Sequence, residues 1–299
     1  MPGQPAPVAI APFAGADYHA AGQRRTNNQA AENAGHRMQN IYPSDFRKKM
    51  SGGGVVLGTS MPAPMAHIAA QTYATGPDWV WVDSEHSPWG LEMIYPVLLQ
   101  GRFAGVAPIV RVPWNEPGII KRSYDAGAVG VMVPQVDNPE EALQAVKFAK
   151  YPPLGERGIA PWFASFFGLS QHDVVVNANS ETVLALQMES AEAWEKIDDT
   201  LALDGFELLI VGPADLSASY GGEGDVHFGK VEQIMADIVP KVRRAGKALG
   251  STFADPEDCR RWIREGYNVM NVSSPMVVGT LALMRIFAEF REEFGAATG

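Results

Sequence analysis

The stretch LALQMESAEAWEKIDDTLALDGFELLIVGPADLSAS, residues 184–219, reads strand, helix, strand, and a carboxylate follows each strand. Side chains alternate along an extended chain, so Gln187 and Glu189, two residues apart, emerge on one face. Ala193, Trp194, Ile197 and Leu201 then recur at helical spacing. The apolar run 208–211 stops at Gly212-Pro213-Ala214-Asp215, where a new helix can begin. Neighbouring strands lie about 4.8 Å apart. Glu189 and Asp215, one βα unit apart, would then project from adjacent strand ends and could share one divalent cation. That arrangement asks for a magnesium-type site.

The same unit recurs on both sides of this stretch. Apolar, β-branched runs fall at 55–59, 79–83, 108–112, 129–133, 184–188, 207–211, 248–253 and 268–272. Amphipathic helical segments lie between and after them, at 63–73, 91–100, 117–126, 139–150, 191–201, 231–245, 256–264 and 275–294. Several open with the proline or acidic first turn that favours a helix start. Strands alternating with helices through one domain predict an α/β fold of the (β/α)8 TIM-barrel type over 44–299. A doubly wound open sheet fits less well, because no G-x-G-x-x-G turn follows any strand.

Composition narrows the function. A net charge of −10 argues against nucleic acid or an anionic membrane as the main partner. A lone cysteine, Cys259, rules out an internal disulfide framework and fits a reducing compartment. No run of 18 apolar residues exists to span a bilayer, and the N-terminus lacks the apolar core of a secretory signal, so a cytoplasmic location is expected. Residues 1–43 are rich in Ala, Gly, Asn, Gln and Pro without apolar periodicity, and read as a flexible N-terminal arm. Between the fourth and fifth runs lie roughly fifty residues, more than one helix needs. The excess, 152–180, carries Trp162, Phe163, Phe166 and Phe167, which fits a lid or a subunit contact.

Functional residues of such a barrel gather at the C-terminal ends of its strands. Those ends supply Asp83, Glu85 and His86 after the second run, Arg111 on the third, Gln187 and Glu189 on the fifth, and Asp215 after the sixth. Charges at the ends of apolar runs are costly to desolvate unless they are paired or bind a ligand.

Five blocks in order carry a resemblance: VDSEHSPWG, PIVRVPWNEPGIIKRSYDAGAVGVMVPQV, YPPLGERGI, LALQMES and VGPADLSASYG. Over about 44–294 the chain resembles the metal-dependent class II pyruvate aldolases of the 2,4-dihydroxyhept-2-enedioate (hydroxy-oxo-acid) aldolase and citrate lyase-like family. The resemblance implies an aldehyde-lyase that cleaves or forms a 4-hydroxy-2-oxo acid from pyruvate and an aldehyde. It further implies a homo-oligomer, hexamer or trimer, whose C-terminal helix is exchanged between subunits.

By matching motif, Glu189 and Asp215 would be the metal ligands. Oxygen-only ligation suits Mg²⁺ or another divalent cation such as Mn²⁺ or Co²⁺. Arg111 would donate to the oxyanion of the developing enolate, and Gln187 with the Gly212-Pro213-Ala214-Asp215 turn would bind the keto-acid carboxylate. His86 would act as general acid and base. Asp125 would be its partner from a neighbouring subunit, and Asp83 and Glu85 would hold metal-bound water or His86.

Several alternatives remain at this level. A macrophomate synthase-like enzyme would take its enolate from oxaloacetate by decarboxylation, and a barrel without turnover would only bind keto acids. A Schiff-base lysine is disfavoured, because none of the eight runs contains a lysine. The loop APWFASFFG departs from the family pattern by lacking a cationic handle, so the aldehyde is expected to be neutral, apolar or aromatic. Those rings, like Trp89 and Trp114, could equally pack between subunits.

Overall fold

A computed structural model describes residues 44–295 apart from Pro62 and Pro64. The segment read as an arm, 1–43, lies outside the described residues. Eight strands, β1 (Val56–Met61), β2 (Trp79–Asp83), β3 (Ala107–Arg111), β4 (Gly130–Val133), β5 (Val183–Met188), β6 (Leu208–Val211), β7 (Ala248–Phe253) and β8 (Val269–Val272), run parallel and close in sequence order into a barrel. β8 returns to β1 through Val56↔Val269 and Gly58↔Asn271. Strands β2 to β6 are buried along their whole length, which is why they read as unbroken apolar runs.

Two apolar layers follow from the period of two. Inward positions, among them Val56, Trp79, Ile109, Leu208, Ile210 and Val269, fill the barrel itself. Outward positions such as Val80, Val110, Val131, Leu184 and Leu209 pack under the helices. Trp79, wholly buried, takes the volume that Gly58 leaves on β1; a Cβ there would drive into the indole. Helix starts are capped as their sequences suggest. Glu116 accepts from the N–H groups of Gly118 and Ile119, and Asn138 accepts from that of Glu141.

Three segments depart from the reading above. The helix expected over 191–201 is two short helices, Ala191–Glu195 and Ile197–Leu201, broken where Lys196 leaves helical geometry with ψ of 10°. The excess segment contains helices Phe163–Phe166 and Gln171–Glu181. Its rings pack beside helix Leu91–Ala104: Phe167 stacks on Phe103 at 4.4 Å, and Arg102 lies over Phe163 at 4.0 Å. Last, helix Pro275–Phe294 has no buried residue, although Val277, Leu281 and Met284 lie on one apolar stripe. On β1 the outward side chain of Leu57 is also bare, at 44% exposure. No helix among the described residues is long and apolar enough to cross a membrane.

Candidate active site

The C-terminal strand ends form a pocket of about 230 Å³. β2 delivers Asp83 and β3 delivers Arg111, paired across the ladder. Arg111 donates Nε to Asp83 Oδ1 at 3.0 Å and Nη2 to Asp83 Oδ2 at 2.7 Å, a bidentate grip. Its Nη1 lies 2.9 Å from Glu85 Oε2, and its plane sits 4.8 Å over the Trp81 ring. Two carboxylates and an indole thus fix a guanidinium that is only 8% exposed. Asp83 and Glu85 were expected to hold metal-bound water or His86; Asp83 accepts from Arg111 at both oxygens and, at Oδ1, also from the backbone N–H groups of Glu85 and His86, while Glu85 lies between Arg111 and His86, whose Nε2 is 3.8 Å away. Burial alone would raise the Asp83 carboxyl, but the hydrogen bond and charge of Arg111 more than offset it and hold it low. Burial pushes Glu85 up against the pull of Arg111.

Glu189 follows β5 directly and is 5% exposed. Its Oε1 accepts from the backbone N–H of Gln135 at 2.8 Å, and its Oε2 from Gln187 Nε2. Burial is the main reason its carboxyl is pushed up to about 7; the Gln135 N–H works against the rise, and the charges of Asp215 and Glu85 add to it. Met188 pairs with Val211 across β5 and β6, so Gly212 lies beside Glu189. A Cβ at Gly212 would come within 2.5 Å of Glu189 Oε2, so only glycine admits the carboxylate here. Pro213, Ala214 and Asp215 open helix Pro213–Ser219 and line the same pocket. First-turn N–H groups have no acceptor within their own helix.

Of the residues singled out in the sequence, the pocket lining thus includes Asp83, His86, Arg111, Gln187 and the 212–215 turn. Glu189 lies against Gly212, and Glu85 against Arg111. Asp125 stands apart from them. It ends helix Pro117–Asp125, whose nine residues carry it about 13 Å from the rim. There it accepts from Arg157 Nη2 at 2.8 Å beside a second pocket that Tyr95 and Trp162 share. Burial raises its carboxyl despite that partner.

The sequence reading missed Ser60, Trp81, Thr252 and Asn271 in the pocket lining. All four occupy inward positions near strand ends, a signal available from the alternation but passed over by a search for charge. It also missed Gln135, held at φ +52°, whose N–H aims at Glu189. A left-handed non-glycine residue leaves no mark in sequence.

Carboxylate oxygens are the donors a hard cation takes, and the nearby guanidinium is already engaged by Asp83 and Glu85. Among the described residues no group of three or more His, Cys, Asp or Glu side chains converges at metal-binding distance. A cation held here would therefore rest on few protein ligands, with water and substrate completing its shell, as magnesium tolerates.

Comparison with known proteins agrees with this geometry. The family model described as HpcH/HpaI aldolase/citrate lyase matches residues 58–277. The chain is 30% identical over 257 residues to the 2-keto-3-deoxy-L-rhamnonate aldolase of Klebsiella pneumoniae, covering 86% of this chain and 96% of that protein. It is 30% identical over 249 residues to the hydroxypyruvate/pyruvate aldolase of Roseovarius nubinhibens, covering 83% and 97%. The crystal structure of a HpcH/HpaI aldolase/citrate lyase family protein from Burkholderia cenocepacia superimposes with a TM-score of 0.77 at 30% identity, covering 83% of this chain and 99% of that one.

Proposed function

The chain belongs to the HpcH/HpaI aldolase/citrate lyase family, with aldolase or lyase activity on keto acids, and from that premise we propose a divalent-metal aldolase that joins pyruvate to an aldehyde or reverses that reaction. The observation that carries the proposal is the pairing of Glu189 and Asp215 on adjacent strand ends beside a fixed arginine. Both carboxylates would hold Mg²⁺, or Mn²⁺ or Co²⁺ in its place. When bound, such a cation disperses the charge that builds on the keto acid as its methyl proton leaves.

The remaining steps belong to side chains. Arg111 has five N–H donors; Asp83 accepts from two of them, and Glu85 adds an ion pair at Nη1. The guanidinium is thus oriented with donors left for the developing oxyanion, and such preorganised donors contribute about 3–4 kcal/mol. Ala214 and Asp215 offer first-turn N–H groups to the keto-acid carboxylate, and Gln187 adds its amide. His86 lines the pocket with an exposed ring, suited to passing a proton to and from the aldehyde oxygen. Asp125, distant from His86 in its own chain, would serve the histidine of a neighbouring copy.

A multimer also suits the last helix. With no residue of 275–294 buried and Leu57 bare on β1, we place that helix against another copy in a closed hexamer or trimer.

Pyruvate methyl-proton exchange in D₂O, followed by NMR, tests the reading. Exchange should proceed with Mg²⁺ and stop in EDTA. Exchange that continues after complete metal removal would contradict it.

A further inference from the structure

We propose that Asp137 and Ser190 are positioning residues for Glu189: their hydrogen bond latches the loop after β4 to the end of β5 and so sets the carboxylate that would hold the cation. The inference rests on the metal reading above and adds what keeps one of its ligands in place.

Three successive residues of that loop take hold around Glu189. The ladder between β4 and β5 ends at Val133↔Leu186. Beyond it the N–H of Gln135 reaches Glu189 Oε1 at 2.8 Å, and the N–H of Val136 reaches the carbonyl of Gln187 at 3.3 Å. The carboxylate of Asp137 then accepts from the hydroxyl of Ser190. Contacts thus fall before, on and after Glu189.

The middle contact needs an unusual backbone. Successive N–H groups of an extended chain point to opposite sides. At Gln135 a φ of +52° breaks that alternation and turns two neighbouring N–H groups toward the same strand end. A residue with a Cβ keeps this conformation only where its surroundings over-determine it. The Gln135 side chain is exposed, so the constraint comes from its neighbours. Val136 is buried in the core, and Asp137 is held at both ends. Its N–H donates to Glu141 Oε2 at 2.9 Å, on helix Pro139–Ala149, and its carboxylate takes Ser190.

Ser190 suits the latch because one hydroxyl serves two partners. Its oxygen accepts from the N–H of Ala193 at 3.0 Å and caps helix Ala191–Glu195, while its hydrogen goes to Asp137. With Oε1 of Glu189 fixed by the loop, Oε2 is the oxygen beside Gly212, which lines the pocket. A loosened loop would let the carboxylate turn away from that side.

The test is a Mn²⁺ titration of the metal-stripped full-length chain, with free Mn²⁺ read by electron paramagnetic resonance and the thermal midpoint measured in EDTA. Ser190→Ala and Asp137→Ala should each raise Kd by ~10-fold or more. Both break one bond, so the double variant should bind no worse than the weaker single one. Ser190→Thr keeps the hydroxyl and should bind as wild type does. Asn138→Ala strips the cap of the next helix without touching residues 187–190; it should lower the midpoint and leave Kd unchanged. An unchanged Kd in either alanine variant, losses that multiply in the double variant, or an equal loss in Asn138→Ala would overturn the latch. Should an alanine variant fail to fold by circular dichroism, Ser190→Gly decides, since glycine is accepted at an N-cap and lacks the hydroxyl. Glu189→Gln separates the two levels. If it binds Mn²⁺ as tightly as wild type, or wild type takes up none, the metal reading falls and the latch with it. If it loses Mn²⁺ while the latch variants keep it, the latch alone is refuted.

Discussion

Replacing Glu189 by Gln should stabilise the metal-free protein above neutral pH. Burial, with smaller contributions from Asp215 and Glu85, lifts the Glu189 carboxyl to about 7 from its ordinary 4.5. Between those values the folded chain holds a proton that the unfolded chain has released. The stability this group contributes is therefore complete below pH 4.5 and is lost as pH rises through 7. At 1.36 kcal/mol per pKa unit the loss reaches about 3 kcal/mol by pH 8. Gln at 189 keeps the shape and removes the ionisation. Its carbonyl can still accept from Gln135 N–H. Its amide group meets Gln187, whose Oε1 is unpartnered and can turn to receive it. Urea denaturation in EDTA at pH 5, 6, 7 and 8 measures the effect. Wild type should fall relative to Glu189→Gln by about 3 kcal/mol across the series, although Glu85 and Asp125, also raised by burial, tilt both curves alike. Adding Mg²⁺ at pH 8 should close most of that gap. A cation at 100 times its Kd would stabilise wild type by about 2.7 kcal/mol and leave the variant unmoved. Parallel curves in EDTA would refute the reasoning, because Glu189 would then be ionised in the fold without penalty.

Further outcomes follow from the same geometry. Asp215→Ala should abolish pyruvate proton exchange by NMR while leaving the thermal midpoint in EDTA unchanged or slightly higher, since a like charge near Glu189 and Glu85 is gone. Arg111→Lys should lower kcat by about 10²-fold or more, because an ammonium cannot span Asp83 and Glu85 while facing the substrate. Steady-state kinetics with a melting curve would show whether the loss is catalytic or a failure to fold. Leu281→Glu combined with Met284→Glu should shift the protein to monomer in sedimentation velocity, and an unchanged sedimentation coefficient would mean that this helix makes no subunit contact.

The barrel was legible because its two hydrophobic periods do not interfere. Strands β2 to β6 are buried on both faces and stand out as short apolar runs, while Glu116 and Asn138 mark where helices begin. The acids of the pocket were legible for a related reason, since a carboxylate ending an apolar run has few explanations besides pairing or ligation. What escaped depends on neighbours across the sheet. The grip of Asp83 on Arg111 needs the β2–β3 register, which no single strand encodes. Asn271 and Thr252 carry no charge and look like ordinary strand residues until their shared hydrogen bond appears. Helix Gln171–Glu181, built on QHDVVVNANSE, has too weak an apolar stripe to announce itself. Asp125 entered through resemblance, and within its own chain it is simply the partner of Arg157.

The charges of the pocket explain why a cation suits it. Asp83, Glu85, Glu189 and Asp215 are four carboxylates gathered around one guanidinium, and Arg111 neutralises the first two closely enough to fix its own plane. That leaves Asp215 on the lining of the pocket and Glu189 behind Gly212, both close to where a keto acid, itself an anion, would enter. Two like charges separated by a few ångströms from a third resist its entry, most of all where Glu189 is withdrawn from water. The protein answers part of this strain by letting Glu189 rise toward neutrality, and a proton there weakens the repulsion without supplying any attraction. A divalent cation, in the function proposed above, would supply it, with Glu189 and Asp215 as the carboxylates to hold it.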